Sequence, residues 1–397
     1  MKKALALALV LVMAFAMFAC AKDNSTTSPS TSASSTASTE PSTQPSASTQ
    51  PSASAPASGG VASNHVGYWD DQVDHSARKT YRIVFYSFYS GGFVDAFYIY
   101  MQRCEEKMNI KVDFLTANGE AERWINQIEL LEGYDGVLLD HDASVGTRTW
   151  ELMQELNIPF ISFLITFMEE DSTVMQWPGI CLEGKVVANQ AVSWLCENYT
   201  NYFGDIDSSK IGFINLTWSV ATDMIDRGEG ARDTWMRYFP DNVYLEGDFV
   251  GGVPNAENTY DMLSAFVSTN PGVEYWLINT IMMLMPAGAA RAVETLGIDD
   301  KCLITCLEST TVIPEWDSGY RGALVSCIGV SEANYACPAI AGIIALIDGR
   351  ATPETLWADA RRDPYGTKYS VYPLETEVIT ADNYKQYYAD IENYYFG

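Results

Sequence analysis

The sequence predicts an α/β protein made of two doubly wound parallel-sheet lobes. Three observations carry this. Beyond residue 80, short apolar runs such as GVLLD (Gly136–Asp140) alternate with helical patterns. Strands that are apolar on both faces belong to parallel sheets covered on both sides by helices. The alternation reaches a strand at 159–165 and then restarts with a helix at 185–197, which makes two lobes. The stretch from Tyr81 to Gly397 is also long enough for two domains of ordinary size.

In order, residues 82–87 (RIVFYS) read as a strand, 93–108 as a helix and 110–115 as a strand. Residues 121–131 are helical, 136–140 a strand, 149–156 a helix and 159–165 a strand. The second run takes helix 185–197, strand 210–216, helix 228–238 and strand 243–250. Helix 257–267, strand 275–280, helix 287–296 and strand 302–308 follow. In such sheets ligands sit beyond the C-terminal ends of the strands, so the polar residues there are the candidates.

The first 80 residues are different. Lys2 and Lys3 form a positive start, and residues 4–19 are an apolar run too short for a comfortable membrane span. Met17-Phe18-Ala19-Cys20 resembles a bacterial lipobox, in which Cys20 is acylated and becomes the first mature residue; Phe18 departs from the small residue usual there. An ordinary secretory signal would leave Cys20 a free thiol. Either reading makes 1–19 a signal peptide and exports the chain. Residues 20–60 then form a Ser/Thr/Pro-rich linker that cannot bury enough apolar surface to offset chain entropy. As a coil it spans on the order of 35 Å. Residues 61–80, with His65, Trp69 and His75, form a transition segment.

The formal charge is −27; without Lys2 and Lys3 it becomes −29, 22 basic against 51 acidic residues. That argues against nucleic acid and against docking on anionic lipid, leaving the lipid anchor as the membrane contact. Seven cysteines remain beyond Cys20, an odd number set mostly in apolar runs, so buried thiols are expected rather than a disulfide frame.

The ordered series of motifs resembles the type I periplasmic binding proteins, the sugar-binding solute receptors of ABC importers, over about residues 81–383. It comprises WINQIELL (124–131) leading into YDGVLLD (134–140), then RGEG (227–230), NPGVEYWLI (270–278) with AGAARA (287–292), GALV (322–325), and a helix ending in Ile347-Asp348-Gly349. The resemblance implies two lobes joined by three crossovers near residues 173–184, 327–332 and 372–378, with a ligand cleft between them. It places the N-terminal lobe at 81–176 plus 330–374 and the C-terminal lobe at 177–329 plus 375–397. It also implies a small-molecule ligand, carbohydrate or related, and ABC permease subunits as partners. No cofactor and no metal are expected.

Arg227 matches the family's ligand-binding arginine, whose planar guanidinium gives directed, bidentate hydrogen bonds. The plainer reading is a surface arginine at a helix start. Glu308 ends its strand where the family has an Asp or Asn gripping ligand, and Asp140, with Asp142 close behind, ends the third strand similarly. Phe93, after Ser90-Gly91-Gly92, matches the aromatic that stacks on a sugar; Trp218 is a second candidate wall. Asn255 and Glu332, near a loop and a crossover, complete the set. For each carboxylate a helix cap is the alternative, and for Phe93 the core.

Two departures bear on the ligand. Strand 159–165 ends in Leu164-Ile165 where an acidic residue is usual, and Met282-Met283 replace an Asn-Asp pair. A two-residue shift of the alignment would instead return Asn279 to the site. Each sugar hydroxyl buried without a partner costs roughly 1–3 kcal/mol, so a less hydroxylated ligand is expected. Arg227→Ala should then weaken binding and leave unliganded stability nearly unchanged. Catalysis has little support: His65, His75 and His141 are the only histidines, and His141 between two aspartates reads as a capped or exposed loop. A glycosidase would need Asp140 and Glu308 to meet across the cleft.

Overall fold

The computed structural model describes residues 74–167, 176–220, 222–357 and 368–397. The signal segment, Cys20, the linker, residues 61–73 and residues 173–175 of the expected first crossover lie outside the described residues.

In the first sheet, β1 (Tyr81–Ser87) lies between β2 (Ile110–Thr116) and β3 (Gly136–Asp140). Next come β4 (Phe160–Phe163), β5 (Gly179–Cys181) and, from the far end of the chain, β11 (Val371–Pro373). Every pairing in this sheet is parallel. The second sheet has the order β12-β10-β9-β8-β6-β7. It is built from β6 (Ile211–Thr217), β7 (Val243–Asp248), β8 (Tyr275–Thr280), β9 (Cys302–Cys306) and β10 (Leu324–Gly329), all parallel. Only its edge strand β12 (Glu377–Thr380) runs antiparallel. All seven residues of β6 and all five of β3 are buried, as strands covered on both faces by helices require.

The helices follow local signals. In α1 (Gly92–Arg103), Val94, Phe97 and Met101 form one buried face at helical spacing. The chain resumes as α2 (Glu105–Met108) and stops where Asn109 takes a left-handed conformation, φ 47°. Next come α3 (Ala121–Ile128), α4 (Gly146–Leu156), α5 (Gly184–Phe203) and α6 (Thr222–Tyr238). Then α7 (Ala256–Thr269) opens on an Asn255 cap, and α8 (Pro286–Leu296) begins on proline and ends at Gly297. The remaining helices are α9 (Val312–Asp317), α10 (Glu332–Ile347) and α11 (Tyr384–Phe396).

The chain passes three times between sheets. It leaves β5 in the first sheet for α5, which packs on the second. It leaves β10 in the second for α10, which packs on α1, β3 and β4. It then returns from β11 to β12. Two details differ from the sequence boundaries. Gly179–Cys181, expected in the C-terminal lobe, pairs with β4, because its short apolar run extends the first sheet before the chain crosses. The C-terminal helix α11 also reaches α1 of the first lobe, through an Arg103–Glu392 ion pair and the Phe396 ring 3.6 Å from the Arg103 guanidinium.

Glycines set how closely α5 and α6 approach. A Cβ on Gly184 would lie 2.5 Å from the Asp223 carbonyl oxygen, and one on Gly230 would lie 2.8 Å from Lys185 Cα. The two backbones therefore touch, which holds the first turns of α6 in place. Gly184→Ala should destabilise the protein by about 1–3 kcal/mol through overpacking. Gly272→Ala, at an open position, should change stability by a few tenths only. Equal urea midpoints for the two variants would contradict the packing argument.

Candidate ligand-binding site

Arg227 does not precede its helix. Because α6 begins at Thr222, Arg227 lies in the second turn with only 4% of its surface exposed. Its Nη1 donates to Glu308 Oε1 at 2.6 Å and to the Ile281 carbonyl at 2.8 Å, and Nη2 stands 3.8 Å from Asp223 Oδ2. The Nε–H is buried without a partner. Burial disfavours a charged guanidinium, but Glu308 and Asp223 outweigh it and raise its pKa above the ordinary arginine value. Glu308 is held in turn by the Met283 N–H on Oε2 at 3.0 Å. The two strongest sequence candidates therefore meet each other. The expectation that Arg227 is dispensable for stability is corrected by its burial.

Across from this pair, the register that sets Ser87 beside Asp140 on neighbouring strands builds the wall of the first lobe. Ser87 Oγ donates to Asp140 Oδ2 at 2.6 Å, while Asp140 Oδ1 is buried and unpartnered. Burial pushes the Asp140 carboxyl up to about 7, against the Ser87 hydrogen bond and helped by Asp142. Asp142 caps the turn that follows, accepting the Ser144 N–H at 2.9 Å, and also accepts the Tyr89 hydroxyl. The Tyr89 ring is 41% exposed, yet its hydroxyl is shielded enough for its pKa to rise. Asp142 and Asp140, on its own lobe, and Asp223, on α6 of the second lobe, push the same way.

His141 is buried rather than exposed. It lies flat on Phe167, ring centroids 4.0 Å apart and planes 4° from parallel, in space that Gly146 leaves open. Burial pulls its pKa down to about 3, so the ring is neutral.

Tyr335 of α10 was not among the sequence candidates. Its ring packs edge-on against Phe97 at 5.2 Å and is 5% exposed. Burial raises its pKa; Arg227 opposes that, and Glu308 and Asp223 add to it, so a first-lobe side chain shares the field of the second-lobe ion pair. A hydroxyl-bearing aromatic one turn past a crossover was the available signal. Phe93 is half-buried, edge-on to Phe97 at 4.8 Å, and Trp218 is half-buried just after β6.

The other candidates have different partners. Asn255 is spent on the capping box of α7, accepting the Glu257 and Asn258 N–H groups. Glu332 begins α10, where burial raises its pKa and its charge is felt by Tyr100 and Tyr388 at the second crossover. Asn279 lies inside the sheet, donating to Asn215 Oδ1 at 2.9 Å, so the shifted alignment does not bring it to the cleft. Leu164 follows β4 with φ 65°, an unusual left-handed conformation for leucine. No group of three metal-ligating side chains occurs among the described residues. Surface hollows of about 430 and 260 Å3 open at the opposite, N-terminal ends of the strands, beside Cys302 and Phe160, away from the buried charges.

Two six-stranded sheets, three crossings and polar groups gathered at the strand ends define the type I periplasmic-binding-protein fold, and the chain has it. No protein-family model and no curated protein matches its sequence. Solved structures do match. One is an ABC transporter periplasmic solute binding protein from Actinobacillus succinogenes 130z with bound D-allose, 14% identical, with a TM-score of 0.59 over 78% of this chain and 100% of that one. Another is a 5-methylthioribose transporter solute binding protein from Thermotoga lettingae TMO, 16% identical, TM-score 0.56, covering 79% and 88%. An arabinose binding protein from Geobacillus stearothermophilus is 12% identical, TM-score 0.59, covering 78% and 100%. At such identities the shared property is the fold.

Asp140 gives this wall a pH signature. Its folded pKa of about 7 lies above the unfolded value near 3.8. The unfolded chain therefore releases this proton first, and rising pH between about 4 and 7 favours unfolding. Asp140→Asn should remove that loss, gaining about 1–3 kcal/mol at pH 8 relative to pH 4.5. Urea denaturation at both pH values checks it; parallel pH profiles for wild type and variant would show Asp140 to be ionised in the fold.

Proposed function

We propose that the protein is an extracytoplasmic solute-binding lipoprotein of an ABC importer, which captures a small sugar-like molecule by hinge closure of its two lobes. The observation that carries this reading is the gathering of buried and half-buried polar groups toward the C-terminal strand ends of both sheets. Arg227, Glu308 and Asp223 stand on one side, and Asp140, Tyr89 and Tyr335 on the other. A solute bridging the two sets has higher affinity for the closed form, which shifts the balance toward closure. The unpartnered Arg227 Nε–H and Asp140 Oδ1 are a donor and an acceptor that ligand hydroxyls could satisfy. The fold neighbours named above, with bound or transported D-allose, 5-methylthioribose and arabinose, support a carbohydrate.

The charge of Arg227 is already taken up by two carboxylates, so the cleft favours an uncharged solute over an anion. Leu164, Met282 and Met283 occupy positions where the resembled family has hydroxyl-binding groups, which favours a less hydroxylated sugar or one with an apolar substituent. Binding is preferred to catalysis because His141 is neutral and stacked, and both Glu308 oxygens are engaged. A receptor presenting the same ligand to a sensor kinase or chemoreceptor would need the same closed form; permease and ATPase genes beside this one favour transport, and a histidine kinase gene favours sensing.

Native mass spectrometry of the freshly purified full chain should show an adduct with the mass of an uncharged solute. Arg227→Ala should weaken rebinding of that solute by roughly 1.5–3 kcal/mol. It should also lower unliganded stability by roughly 3 kcal/mol, since Glu308 loses its partner. Unchanged affinity in the variant would place the ligand elsewhere.

Attachment is assigned to a lipid on Cys20, because the lipobox-like Met17-Phe18-Ala19-Cys20 closes an apolar run too short for a comfortable span. Cys20→Ser should move the protein from the membrane fraction to the soluble fraction; unchanged partitioning on immunoblots would require another anchor.

A further inference from the structure

The Sγ atoms of Cys104 and Cys337 lie 3.8 Å apart, in contact but unbonded, and both residues are fully buried. They sit on helices packed against each other in the first lobe. Cys104 closes α1, one helical face below Phe97 and Met101, and Cys337 lies in α10 two residues beyond Tyr335. Cys104 falls where α1 breaks into α2, so its backbone is not locked inside a continuous helix. A disulfide needs its sulfurs about 2.05 Å apart, so bonding draws these two together by about 1.75 Å from their present contact.

We propose that Cys104 and Cys337 form a disulfide in the exported protein, stapling α1 to α10 and so fixing the helix that carries Tyr335 beside the cleft. The inference rests on the export reading, because cytoplasmic thiols are kept reduced. Chemically, the two thiols give up two protons and two electrons, and a disulfide oxidant accepts them and leaves as two thiols. Burial keeps the Cys337 thiol from ionising readily, so exchange in the folded protein is slow and the bond forms as the chain folds. Closing a loop across 233 residues of sequence separation is a strong constraint on the unfolded chain. Cys306 and Cys327 are partners on neighbouring parallel strands and form the competing pair.

The full chain, denatured and reduced, is refolded with oxidised dithiothreitol, alkylated and digested. The expected result is a linked Cys104–Cys337 peptide pair with the loss of two hydrogens, and alkylated Cys306 and Cys327. Reduction should then lower the melting midpoint by about 5–8 °C. Alkylation of both Cys104 and Cys337, or a Cys306–Cys327 link in their place, overturns the pairing. Protein taken directly from the cell envelope with its thiols trapped should carry the same link. Free thiols there alongside a link in vitro would overturn the staple in the cell through its export premise while leaving the solute-binding reading standing.

Discussion

A guanidinium that is always charged and almost fully enclosed is the constraint around which the second lobe is arranged. Arg227 cannot shed its proton, so burial has to be balanced by fixed partners. Glu308 comes from the end of β9, the Ile281 carbonyl from the end of β8, and Asp223 from one turn earlier on the same helix. Three elements must therefore keep their relative positions. The glycine contacts of α5 and α6 and the parallel register of β8 and β9 are what keep them.

The first lobe solves the opposite problem. Its buried carboxyl, Asp140, can take up a proton, and with one hydroxyl partner it does so near neutral pH. Asp142, two residues on, is spread over a turn amide and the Tyr89 hydroxyl, and those bonds keep its pKa low despite burial. Two aspartates separated by one residue thus hold different charge states, set by how many donors each can reach. The second lobe carries a fixed charge held by its partners, and the first a carboxyl whose charge follows pH.

The alternation of strands and helices along the chain and the two-lobe plan were legible in the sequence because they depend on local patterning. Short apolar runs bounded by turn signals read as doubly covered strands, and β3 and β8 were read to the residue. Glu308 and Asp140 were singled out as polar residues ending apolar strands, where ligands bind in such sheets, and Arg227 through the resemblance of RGEG to the family motif. The start of α6 was less legible: in Thr222–Arg227 only Met224 and Ile225 are apolar, too few to mark a helical face, and the helix there is stabilised by its packing against α5.

What each polar group does was decided only by the tertiary structure. The same sequence features serve a buried ion-pair partner at Glu308, a helix cap at Asn255 and an inter-strand hydrogen bond at Asn279. Tyr335 lies in a mostly apolar helix, where its hydroxyl and its place after a crossover were the only local signs that it faces charge. Local pattern determines whether a residue is in a strand or a helix and which face it takes. Its partners come from segments many residues away, and only the packed lobes bring those segments within hydrogen-bond reach.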